Sequence, residues 1–403
     1  MKRVLYTSAV AIFVLASAFV IDAQTLKPGV PAKFKVNGKA SHEFSIDLKA
    51  DDLCNISVEA NKDLPFLMQV TQPDGEALVK DAEPSEGYLF IARMTGTYTV
   101  KLYIADELPA DEMTKYNGSE VTVKYSNKFT LPAGVKTKST RTVNGYLARI
   151  ANDPGDEGYT YFVVQRAGAV KAVMRAEKAI TSGYSFSDDP NGSDGANPGR
   201  SAALMRTTPD KTGDGTPDLA VEYYTGGAHC CYEITFFELG ERVRQLPTIG
   251  TGNDRMTAIA KRPTGGLRFE FAEQSFAYWN INFAQSPMPE VIYEFDRSDK
   301  LVPRFELMKK PAPTLAKLKR DAAAMRVTVN LNPYTSPEDN FNDWKEPFWS
   351  EMLDLIYTGH EDLAWQYFDM VWPAKKKGKQ KFLADFKEHL AQSTYGEWKK
   401  VAK

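Results

Sequence analysis

Asp210, Thr212, Asp214, Thr216 and Asp218 stand at alternate positions of one nine-residue stretch, Asp210-Lys-Thr-Gly-Asp-Gly-Thr-Pro-Asp218. A calcium ion takes hard oxygens at that spacing from a tightly curled chain. Asp210, Thr212 and Asp214 would offer side-chain oxygens, Gly215 the sharp turn, Thr216 its carbonyl and Asp218 the closing carboxylate. Three carboxylates crowded into so short a loop repel one another without a cation, so the spacing predicts a structural Ca²⁺ site. A hydrogen-bonded Asx-type turn is the metal-free alternative.

A second chemical segment follows directly: Thr225-Gly226-Gly227-Ala228-His229-Cys230-Cys231-Tyr232. Two readings of Cys230 and Cys231 stay open. Consecutive Cα atoms are about 3.8 Å apart and ordinary disulfides want about 4.4–6.8 Å, so a vicinal bridge needs a distorted turn, which Gly226-Gly227 could supply. If a strand already includes Cys230, alternation sends the two sulfurs to opposite faces. A redox role for the pair is the functional form of the first reading. Cys54 shares an apolar face with Ile56 and Val58 and reads as a buried free thiol. The chain has four histidines (His42, His229, His360, His389) and no H-E-x-x-H, so His229 reads as structural rather than as a zinc ligand. No G-x-S-x-G, P-loop or G-x-G-x-x-G occurs. Between Phe269 and Phe283 aromatics crowd; most read as core, with Tyr278 and Trp279 the candidates for a peptide- or carbohydrate-binding platform.

The elements that must position these groups show in the periodicity. Phe44, Ile46 and Leu48, then Cys54, Ile56 and Val58, then Tyr98, Val100, Leu102 and Ile104 alternate with polar residues. That is the pattern of half-buried antiparallel strands. Several such strands punctuated by Asn37-Gly38, Pro73-Asp74-Gly75 and Gly96 predict a β-sandwich over 24–130. Residues 131–310 read as a second β-rich domain. It holds a hairpin across Ala167-Gly168, a polar loop from Ser187 to Arg200, and a strand from Leu219. After Pro311 the period becomes helical: one helix behind Pro313-Thr314, one from Pro347 to Tyr357, one opening on Glu361-Asp362, and one from about Lys381 to Gln392. Residues 311–403 therefore read as a helical cap. The run Lys375, Lys376, Lys377, Lys379, Lys381 reads as a solvated loop.

The chain is 403 residues with 50 basic and 52 acidic side chains, 43% hydrophobic and 25% charged. This is globular composition, and a net charge of −2 argues against a nucleic-acid binder. Lys2-Arg3, an apolar run from Val4 to Ile21 and cleavage sites after Ala18 (of Ala16-Ser17-Ala18) or after Ala23 have the build of a secretory signal peptide over 1–23. No other apolar run is as long, so no integral membrane span is expected after cleavage.

Pro73-Asp74-Gly75 and the closing Gly96-Thr97-Tyr98-Thr99-Val100 make the first region resemble the bacterial pre-peptidase C-terminal domain. That resemblance implies a secreted accessory module and carries no catalytic residues. The 210–218 loop, followed by the strand Leu219–Tyr223, resembles the calcium loops of FG-GAP and integrin-type β-propeller repeats, with Thr212 replacing their usual Asp or Asn. Together with Gly226-Gly227-Ala228-His229-Cys230-Cys231 it also resembles a group of secreted bacterial proteins. The expectation is a secreted or periplasmic, non-catalytic, calcium-stabilised binding protein. The alternatives are an extracellular hydrolase with an accessory sandwich, for which Glu222 and His229 would have to meet a Cys or Ser, and a thiol redox protein.

Overall fold

The computed structural model describes residues 24–38, 41–60, 65–82, 88–104, 114–178, 182–189, 198–227, 231–326 and 331–401. The leader expected over 1–23, and with it His229 and Cys230, lies outside them. The protein is mainly β with helices towards its C-terminal end. It divides into two compact units, one up to Thr130 and one from Leu131 on.

In the first unit, β1 (Gln24–Thr25), β2 (Ala32–Lys35), β3 (His42–Leu48), β4 (Leu53–Ala60), β5 (Phe66–Thr71), β6 (Ala77–Ala82), β7 (Tyr88–Ile91), β8 (Gly96–Ile104) and β9 (Glu120–Ser126) form two sheets. Their orders are β1-β3-β8-β5-β6 and β2-β9-β4-β7. Alternation puts Phe44, Ile46, Met68, Val70, Val100 and Leu102 of the first sheet into one apolar cluster with Ile56, Val58, Val121 and Val123 of the second. Two inner faces sharing a core make a β-sandwich. The two turn motifs touch: a Cβ on Gly96 would lie 2.7 Å from the Pro73 ring, so only glycine fits.

The second unit opens with a meander, β10 (Lys136–Val143), β11 (Tyr146–Asn152), β12 (Gly158–Arg166) and β13 (Ala169–Lys178). The β12–β13 hairpin turns at Ala167-Gly168, both at positive φ. A second sheet holds β14 (Gly183–Phe186), β15 (Asp218–Tyr224), β16 (Tyr232–Leu239) and β17 (Val243–Gln245), with β18 (Ile249–Gly252) also on β16. A third holds β19 (Thr257–Lys261), β20 (Leu267–Ala272), β21 (Glu290–Phe295) and β22 (Leu301–Pro303). Two adjacent residues of β16 join the layers. Phe237 packs on Phe162 of β12 with ring centroids 4.9 Å apart, and Phe236 packs on Phe295 of β21 at 5.0 Å. Burying a phenylalanine contributes about 1.5–3 kcal/mol, which here ties the middle sheet to both neighbours.

A helix the sequence reading missed, α1 (Pro198–Thr207), packs on β19, where Ala258 N–H donates to Ser201 Oγ at 2.9 Å. The later helices are α2 (Leu315–Arg326), α3 (Trp349–Tyr357), α4 (Glu361–Val371), α5 (Lys379–Gln392) and α6 (Thr394–Val401). They share one apolar cluster with β16, β20 and β21, so the region 311–403 belongs to the same compact unit as 131–310. Lys376 departs from the solvated reading of its run. It is buried, with Nζ 4.6 Å from the Trp344 ring centre and donating to Asn332 O at 2.5 Å. No helix among the described residues is long and apolar enough to cross a membrane.

Candidate functional site

The 210–218 loop is curled by its own hydrogen bonds. Asp210 Oδ1 accepts Gly213 N–H at 2.6 Å, and its Oδ2 accepts Gly215 N–H at 2.9 Å. Gly213 and Gly215 sit at φ +92 and +95, a backbone that L side chains rarely adopt. Asp218, the first residue of β15, is fully buried. Its Oδ2 accepts Lys211 N–H at 2.7 Å, Thr212 N–H at 2.9 Å and Thr212 Oγ1–H at 3.1 Å. Its Oδ1 is buried without a hydrogen-bond donor. Burial pushes the Asp218 carboxyl up to about 6, against the pull of these donors.

The turn between β19 and β20 clamps the loop from outside. Leu267 N–H donates to Lys211 O at 2.8 Å, and Arg262 Nη1 donates to Thr212 O at 3.1 Å. Lys211 itself is buried, its ammonium donating to Thr208 O at 3.2 Å and to Asp218 O at 2.6 Å. Burial lowers its pKa, while Asp218, Asp188 and Asp210 oppose that.

The loop therefore gathers Asp210, Thr212 and Asp218. Asp214 stands elsewhere. Its Oδ1 accepts Thr216 N–H at 2.7 Å, and its Oδ2 lies 3.8 Å from Arg244 Nη2. Asp214, Glu238 of β16 and Asp299 bring their ligand oxygens within 4.8 Å of one another, the one such trio of His, Cys, Asp or Glu among the described residues. Arg244 of β17 already serves it, with Nε 2.5 Å from Glu238 Oε2 and Nη1 2.6 Å from Asp299 Oδ2. Burial pushes Glu238 up to about 7; Arg244 opposes this, and Asp214 and Asp299 add to it. This trio escaped sequence reading because its members lie 24 and 61 positions apart (238 − 214 and 299 − 238) and carry no motif.

Cys231 lies just before β16 and is disulfide-bonded. Its N–H donates to Thr225 Oγ1 at 2.8 Å, and its carbonyl accepts Thr225 N–H at 3.1 Å. Cys54 is a buried free thiol whose pKa burial raises. Glu222 is buried and ion-paired with Arg255, whose Nε donates to Glu222 Oε2 at 2.7 Å. The Arg255 guanidinium also lies over the Tyr232 ring at 5.6 Å. The two platform candidates part company. Trp279 is core, stacked on His389 at 5.6 Å, whereas Tyr278 is 52% exposed.

No known protein family matches this chain, and no curated protein does. Among solved structures, parts of the chain are similar to the pre-peptidase C-terminal domain of a collagenase from Bacillus anthracis. That match has 11% identity, covers 26% of this chain and 95% of that one, and has a TM-score of 0.21. A periplasmic inhibitor of g-type lysozyme from Aeromonas hydrophila matches at 11% identity, covering 26% of this chain and 96% of that one, with a TM-score of 0.20. A Bacillus licheniformis lipase in its propeptide form matches at 9% identity, covering 59% of this chain and 42% of that one, with a TM-score of 0.17.

Proposed function

We propose that this is an extracytoplasmic, non-catalytic binding protein whose second unit is held rigid around the 210–218 loop. The observation that supports it is how the groups with catalytic potential are engaged. Glu222, the carboxylate a hydrolase would need beside His229, is neutralised by Arg255 inside the protein. Cys231 is in a disulfide rather than poised as a thiolate, which also suits an oxidising compartment. In this reading the bridge is the one the sequence suggests, between Cys230 and Cys231, with Cys54 left as the free thiol. The ligand in this reading is a peptide or a carbohydrate.

Two measurements test it. Denatured, unreduced protein should react with one equivalent of maleimide and reduced protein with three, matching the three cysteines of the chain. The folded protein should release nothing above buffer from casein or from p-nitrophenyl esters. Turnover that Glu222→Gln or Cys231→Ser abolishes would overturn the reading.

Calcium belongs to the same proposal. Asp210, Thr212 and Asp218 would hold it where they already gather, joined by the Thr216 carbonyl and by Asp214 turned away from Arg244, and it would supply charge neutralisation and stiffness. The support is Asp218 Oδ1, an anionic oxygen buried without a donor. Arg244 competes for Asp214. A thermal melt of residues 24–403 with calcium, magnesium or chelator should show a calcium-selective rise. An unchanged melt in all three would leave the loop as a turn closed by its own hydrogen bonds.

A further inference from the structure

A groove of about 370 Å³ opens among α4, α5 and α6, far in sequence from the acidic loop. Its walls are mostly apolar: Trp365, Leu390, Ala391 and the ring of Tyr395. Its charged lining is three lysines, Lys387, Lys399 and Lys400, against one acid, Glu361. That acid is already neutralised. Glu361 Oε2 accepts the Tyr395 hydroxyl at 3.2 Å and pairs with Lys399. Lys400 pairs with Glu397. Lys387 is different: its ammonium lies 4.8 Å from the centre of the Trp365 ring, and it has no carboxylate partner among the described residues. The shape is fixed by close packing, since a Cβ on Gly396 would meet Leu390 O at 2.3 Å and so α6 lies tight against the end of α5.

We propose that this groove is a binding site for an apolar carboxylate, an aromatic or branched aliphatic group carrying one negative charge. The charge would pair with Lys387 and the body would lie against Trp365 and Leu390. An uncompensated cation at the rim of an apolar slot matches that one chemistry. A sugar would bring several hydroxyls that need both donors and acceptors, and the one acceptor in the lining with a charge, Glu361, is already engaged. Such a carboxylate reaches the protein as a free acid or as the C-terminal residue of a peptide. The proposal stands whether or not the protein is also catalytic.

The test is calorimetric titration of the protein from Gln24 on. The probes are N-acetyl-phenylalanine, its amide, and an alanine tetrapeptide extended by phenylalanine with a free or amidated end. The free carboxylates should bind about tenfold or more tightly than the amides, the size of one charge-assisted contact. Lys387→Gln should erase that difference while leaving the melting temperature unchanged, because Lys387 is exposed. Trp365→Leu should weaken acid and amide alike. Binding of the small acid but not the peptide, or the reverse, identifies the source and supports the site. Equal affinity for acid and amide, no binding of any probe at 10 mM (roughly the limit for a contact of a few kcal/mol), or indifference to Lys387→Gln would overturn it.

Discussion

Lys211 grips Asp218 at both ends: its amide donates to the Asp218 carboxylate at 2.7 Å, and its ammonium donates to the Asp218 carbonyl at 2.6 Å. The side chain of one residue and its own backbone thus close the acidic loop onto the first residue of β15. Both groups are buried, so each bond is made where water cannot replace it.

Lys211→Met keeps the stem and removes the ammonium. The carbonyls of Thr208 and Asp218 then lose a buried donor, at a cost of about 1–3 kcal/mol. A urea titration should show a lower midpoint with an unchanged slope. An unchanged midpoint would mean that water reaches these carbonyls.

Asp218 makes stability depend on pH with a definite sign. Its folded pKa, about 6, lies above the ordinary 3.8, so the folded state holds the proton more tightly. Its contribution is fully present below about pH 3.8 and is lost as pH rises through 6. In chelator, wild type should lose up to about 3 kcal/mol relative to Asp218→Asn across that window. Glu238, raised to about 7, is present in both proteins and drops out of the difference. Calcium held as proposed would reverse the trend, because it would bind the carboxylate. Its stabilising effect should be larger at pH 7.5 than at pH 5, and should shrink in Asp218→Asn.

Gly266 is constrained by its neighbour as well as by its own turn. A Cβ there would lie 2.8 Å from Gly213 N and 3.0 Å from Lys211 O, and its φ is +79. Gly266→Ala must push the β19–β20 turn off the acidic loop, costing about 2 kcal/mol or more. Gly145, also at positive φ, has nothing within 4 Å, so Gly145→Ala should cost only the backbone strain, about 1 kcal/mol. Chemical denaturation of the two variants separates crowding from strain; equal losses would refute the close approach.

Arg255→Met leaves Glu222 buried without its counter-ion. The expected loss is about 3–5 kcal/mol, and adding Glu222→Gln should recover part of it. A double variant no better than Arg255→Met would show that the pair is not the unit.

How much of this was legible beforehand differs by element. The strands around Phe44, Cys54 and Tyr98 were legible because a half-buried sheet imposes a period of two on its residues. The helix from Trp349 to Tyr357 was legible because Pro347 opens it and Gly359 follows it. Neither α1 nor α6 was foreseen. α1 is weakly amphipathic and is held on β19 through Ser201 rather than by its own pattern, and α6 is a short eight-residue helix that follows α5 almost at once.

By itself, then, the sequence determined the mainly β architecture, the helical character of the C-terminal region and the curl of the acidic loop, since Asp210 and the glycines act within a few residues of one another. Tertiary structure decided where Asp214 points, that Lys376 and Trp279 go inside, and that Lys387 faces Trp365 with no acid to meet it among the described residues. Local spacing encodes contacts between near neighbours. Charge partners such as Arg244 and Asp299 meet only when sheets stack, and no period in the chain records that.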